Sequence, residues 1–141
     1  MNIEEMKSML NKDDVVCIVS KDHHVLTSSL KGIRPWVKWL KECPEVLEDA
    51  VVVDKVVGKA AAMLMVVSKI KKLYTPMMSE NALQYLSDQK LDFSYERTVP
   101  YISNNEKNGL CPMEQTVIDV DDAQLGYQLL LKKIAELMAK K

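Results

Sequence analysis

A chain of 141 residues, 48% hydrophobic and 28% charged, is long enough to bury a sizeable core without disulfides or a structural metal, and it is read as one domain spanning residues 1–141. Its 19 Lys and Arg against 20 Asp and Glu leave a net charge of −1, with basic runs no longer than pairs such as Lys71-Lys72, so nothing suggests a nucleic-acid partner. The longest nearly uncharged run, residues 56–68, contains Lys59 and falls short of the roughly 20 apolar residues of a membrane span. The start Met1-Asn2-Ile3-Glu4-Glu5 lacks the basic-then-apolar layout of a secretory signal, so the expectations are no membrane and a cytoplasmic location.

Ile3, Met6 and Leu10 recur at helical spacing and predict a short helix within residues 2–11. The β-branched run at 15–19, a turn at Lys21-Asp22-His23 and an extended stretch at 24–28 predict a hairpin. Gly32 breaks the chain, and Pro35 opens a helix on which Ile33, Trp36, Val37 and Leu40 share a face, with Pro44 interrupting near its end. Ala50-Val51-Val52-Val53 reads as a strand buried on both faces, followed by an Ala- and Met-rich helix over 54–70. The alternation continues with a strand at 72–75, a helix over 79–89 capped by Ser79, and a strand at 91–95 that residues 99–102 extend or supplement. A polar loop at 103–109 leads to Cys111, a helical turn at 112–116 and a strand at Val117-Ile118. A last helix is capped by Asp121 or Asp122. This alternation predicts an α/β chain: a three-layer α/β/α sandwich around a central mixed sheet of about five strands.

Three segments can carry chemistry. The first, Val53-Asp54-Lys55-Val56-Val57-Gly58-Lys59-Ala60-Ala61-Ala62, runs from a strand end into a helix, where free N–H groups and the helix dipole attract an anion and Gly58 permits close approach. It is neither a P-loop nor a dinucleotide fingerprint, and the plain alternative is that Asp54 caps the helix while the lysines are solvated. The second, Ser29-Leu30-Lys31-Gly32-Ile33-Arg34-Pro35, is more simply a turn before a Pro-started helix. In the third, Cys111-Pro112-Met113-Glu114, Pro112 places Cys111 near an N-cap, which favours a thiolate, but no histidine must lie beside it. Packing for Cys111 and a capping-box contact for Glu114 are the structural alternatives.

Metal is not expected. Cys17, Cys43 and Cys111 are an odd, widely spaced set that fits a reducing compartment, and adjacent His23 and His24 on a strand point to opposite faces.

The first and third segments, with Leu73-Tyr74-Thr75-Pro76-Met77-Met78-Ser79-Glu80-Asn81-Ala82 between them and Gly109-Leu110 before Cys111, together resemble a small prokaryotic family of uncharacterised proteins with a cytidine-deaminase-like fold. The resemblance covers most of the chain and implies that fold. True deaminases hold zinc with H-x-E and P-C-x-x-C motifs. Here Val57 and Lys59 stand in the first, and Ser79 and Ala82 take the two cysteine positions of the second, so the resemblance implies no zinc and no hydrolytic deamination.

The resulting expectation is a binding domain without cofactor for a small anionic metabolite or nucleotide-like ligand, held by Asp54, Lys55, Gly58, Lys59, Ser79, Glu80 and Asn81 where two helix N-termini converge. The alternatives are a thiol-dependent enzyme using Cys111, and a homodimeric interaction module presenting an apolar patch on the Trp36 and Trp39 helix.

Overall fold

In the computed structural model, residues 1–10, 12, 14–30, 32–102 and 111–139 are described. Asn2 opens α1 (Ile3–Met9) with a capping box: its side chain accepts the Glu5 N–H while Glu5 accepts the Asn2 N–H. The β-branched run that follows becomes β1 (Cys17–Lys21), which turns at Asp22 and His23 into antiparallel β2 (His24–Ser28). On its other edge β1 pairs antiparallel with β3 (Val51–Asp54), matching Cys17 with Asp54 and Ile18 with Val53.

β3 and the two-residue β4 (Val56–Val57) both run parallel to β5 (Lys72–Ser79), so they are two segments along one edge of the same strand, separated at Lys55. β6 (Asp92–Val99) lies parallel to β5 on its opposite edge. The result is a six-strand mixed sheet with parallel strands in its second half.

Alternate residues of these strands feed two cores, as a pleated strand requires. Val19, Val52 and Leu73 join the larger core with α2 (Arg34–Glu42), α3 (Pro44–Leu47), α4 (Lys59–Ser68), α5 (Glu80–Gln89), α6 (Pro112–Val117) and α7 (Ala123–Ala139). Ile18, Val53 and Tyr74 join the smaller core under Met6 and Leu10. Helix α4 is buried from Lys59 to Met65, and its alanines let neighbours approach closely. At Gly126 of α7 a Cβ would lie 2.7 Å from the Met63 methyl.

Several expectations need correction. Asp54 is not a helix cap: its carboxylate accepts the Trp36 indole N–H at 3.2 Å and backbone N–H groups of Lys55 and Val56, which ends β3 and starts β4, so the helix begins only at Lys59 with Gly58 as N-cap. Strand β5 continues through Pro76 to Ser79, because Met77 and Met78 pair with β4 on one edge and residues 77–79 with β6 on the other. Val117 and Ile118 end a helix and form no strand. Pro44 starts α3, and Asp122 caps α7 by accepting the Leu125 N–H at 3.0 Å. Trp36 and Trp39 pack edge to face inside the core, so the apolar patch anticipated on their helix is not on the surface. The expected loop at 103–109 lies outside the described residues.

Candidate functional site

The opening turn of α4 does attract an anion, and the anion is the protein's own. The Lys59 and Ala60 N–H groups donate to the two oxygens of Glu114 at 2.7 and 2.8 Å, so a carboxylate from α6 straddles the positive end of α4. Gly58 makes this approach possible, since a Cβ there would sit 2.3 Å from Glu114 Oε1. Glu114 therefore caps a distant helix and not its own. Burial pushes its pKa up, while the two N–H groups and Lys59 pull it back.

The Lys59 ammonium, buried as well, donates to the Ile118 carbonyl at 3.1 Å and to Asp121 at 3.3 Å, and lies 5.9 Å from the centre of the Tyr85 ring. These contacts tie α4 to α6 and to the approach of α7. The neighbouring Tyr85 phenol is raised to about 12, first by burial and then by Asp121 and Asp122.

At the start of α5 the buried Ser79 hydroxyl accepts the Ala82 N–H at 3.1 Å, whereas Glu80 and Asn81 are exposed. These residues do not suit a zinc ion: Val57 and Ala82 offer no donor atom, and the Ser79 hydroxyl is engaged as a cap. Among the described residues no group of three His, Cys, Asp or Glu converges as a metal cluster elsewhere.

Asp54 belongs to a buried polar cluster, with the Cys17 thiol as a further donor beside the Trp36 indole. Burial outweighs these bonds and raises its pKa to about 7. Cys17 is itself pushed well up, by burial first and then by Asp54. Both lie in the interior, where this cluster joins β1, β3 and α2. Cys111 is half-buried at the start of α6, and His23 and His24 are exposed at the hairpin.

Lys55 is different. It is exposed at the break between β3 and β4 and lines an open cleft of about 490 Å³ together with Lys7 of α1, Leu10 just past its end, Val56, Tyr74, Pro76, Met77, Glu96 and Arg97. The Lys7 ammonium lies 4.0 Å from the centre of the Tyr74 ring and 3.4 Å from Glu4, and the Tyr74 hydroxyl donates to Glu96. Burial, then this bond, raises the Tyr74 phenol to about 12. Neither Lys55 nor Arg97 has an acidic partner within 4.0 Å among the described residues.

Of the expected binding residues, then, the structure joins Gly58 and Lys59 at the Glu114 clamp, places Ser79, Glu80 and Asn81 at a separate helix start, and sets Lys55 in the cleft. Sequence reasoning missed Lys7, Tyr74, Glu96 and Arg97. The signal present was a charged and aromatic strand, Phe93-Ser94-Tyr95-Glu96-Arg97, but nothing in sequence order brings it to α1 or Lys55.

The architecture defines a mixed α/β protein whose central helix start is filled internally and whose sheet bears an open cationic cleft. The chain belongs to the TM1506 family, described as a domain of unknown function (DUF1893), which matches residues 5–134. It is similar to the crystal structure of a DUF1893 family protein (TM1506) from Thermotoga maritima, with 26% identity and a TM-score of 0.85 over 93% of this chain and 88% of that one. No curated protein matches it by sequence. Among the described residues no helix is long and apolar enough to cross a membrane.

Proposed function

We propose that this protein binds a small anionic ligand, without zinc or another cofactor, in the cleft between α1 and the β4, β5 and β6 strands. The observation that carries this reading is the position of Lys55 and Arg97 on opposite sides of Met77, both in one cleft and neither paired with a described carboxylate. Cations that serve only the fold are normally paired when buried, as Lys59 is, whereas unpaired cations that converge on a concavity favour an anion arriving from solution. In parallel sheets, moreover, ligands collect beyond the carboxyl ends of the strands, and Met77 and Arg97 lie in the carboxyl halves of β5 and β6.

On this reading the fold is a three-layer sandwich of the deaminase-like kind, one domain, with α1 as the thin third layer, and it works in a reducing cytoplasm. Lys55 is the expected residue that touches ligand. Gly58 and Lys59 serve by holding Glu114. Titration calorimetry with inorganic phosphate tests the proposal: the wild type binds, and Lys55→Ala combined with Arg97→Ala weakens binding on the order of tenfold or more. Equal affinities in the two proteins would sink it.

A further inference from the structure

We infer that the ligand of this cleft is a phosphate monoester of a hydroxylated body, of the sugar-phosphate class, and not a bare inorganic anion. The inference rests on the anion-binding reading above and adds to it the identity of the rest of the ligand.

Register sets the anion end. Val56 pairs with Met77 and Met77 with Arg97, so the Val56 and Arg97 backbones stand two strand spacings, about 10 Å, apart. Lys55 adjoins Val56, so Lys55 and Arg97 enter the lining of this cleft from the two sides of β5. A guanidinium fork and a point-charge ammonium lining one cleft from either side of β5 suit a tetrahedral dianion, which offers oxygens in several directions.

Glu96 argues for the hydroxyls. A carboxylate on the wall of a site for a bare anion would only repel it. Here Glu96 is held by the Tyr74 hydroxyl through Oε2, and Oε1 accepts no hydrogen bond from a described residue. A carboxylate that lines the same cleft as the two cations, anchored through one oxygen by Tyr74, favours a ligand that donates hydrogen bonds close to its own negative charge. A polyol phosphate has that pattern.

Size and lining agree. The cleft of about 490 Å³ falls within the usual range for small-molecule pockets, far larger than one phosphate needs, and Leu10, Val56, Pro76 and Met77 supply apolar surface for a carbon skeleton.

The test uses the full chain and two probes, inorganic phosphate and ribose 5-phosphate, titrated calorimetrically into the wild type and Glu96→Gln. In the wild type ribose 5-phosphate binds at least about tenfold more tightly than phosphate. Glu96→Gln binds phosphate more tightly than the wild type does, because a like charge is gone, yet its preference for ribose 5-phosphate shrinks several-fold. Phosphate binding with no gain for ribose 5-phosphate, or a preference unchanged in Glu96→Gln, would overturn this inference and leave the anion site standing. If neither probe binds the wild type, the proposed function itself fails.

Discussion

The start of α4 and the cleft under α1 both present cations, but among the described residues it is Lys59 at α4, and not Lys55 or Arg97 in the cleft, that meets a carboxylate of the chain itself. At α4, Lys59 is 6% exposed and Glu114 7%, and every charge there meets an opposite charge or a backbone dipole from the same chain. In the cleft, Lys55 and Arg97 remain in water, which solvates them at little cost, so the fold does not need to neutralise them. Burial thus separates the two regions: a buried cation must be satisfied within the chain, while an exposed one in a concave setting is available to a ligand.

That contrast can be broken most forcefully at the clamp. Glu114→Ala leaves the buried N–H groups of Lys59 and Ala60 without their partner, so it should cost roughly 2–4 kcal/mol of stability, read from urea unfolding. Gly58→Ala, which forces Glu114 out of its seat, should fall in the same range. Lys55→Ala and Arg97→Ala should each change stability by less than about 0.5 kcal/mol. A Glu114→Ala protein as stable as the wild type would remove the distinction between the regions.

A second effect, of similar size, is the pH dependence of stability. Asp54, raised from 3.8 to about 7, and Glu114, raised by its burial, bind protons more readily folded than unfolded. Their contribution to stability is fully present below the unfolded pKa and is lost as pH rises through the folded one. For Asp54 the window is therefore pH 4 to 7, with a change on the order of a few kcal/mol. Asp54→Asn should flatten that slope in melting curves recorded across the window, and an unchanged slope would remove Asp54 as its source.

A further small effect lies at the far end of α4. Lys69 ends α4 in the left-handed region at φ 60°, so Lys69→Gly should raise stability by up to about 1 kcal/mol, with phosphate binding unaltered. A loss of stability there would indicate that the Lys69 side chain supports the helix end.

Periodicity and turn chemistry made much of the fold readable before any coordinates. The hairpin, the Pro35 helix, the Ser79 cap and the neighbouring strands at residues 51–53 and 72–74 all rest on local signals that tertiary contacts reinforce. The start of α4 was misjudged because Asp54 carries a helix-cap residue type but answers to Trp36, eighteen positions away. Anion affinity at Gly58 and Lys59 was legible too. Its satisfaction by Glu114, 55 residues on, was not, because local spacing cannot reveal a long-range partner. The cleft was hidden for the same reason: Lys7, Tyr74 and Arg97 come from three separate elements and Lys55 from the break between β3 and β4, and although Lys55 and Tyr74 stood in segments that drew notice, no local signal joins them.

The most direct test of the central claim, that the cleft and not the start of α4 receives an anion from solution, is a phosphate titration of the nitrogen-15-labelled protein followed by amide chemical shifts. The account predicts saturable shifts at Lys55, Val56, Met77 and Arg97, with the Lys59 and Ala60 amides unmoved beneath Glu114. Shifts centred on Lys59 and Ala60, with the cleft amides silent, would contradict it.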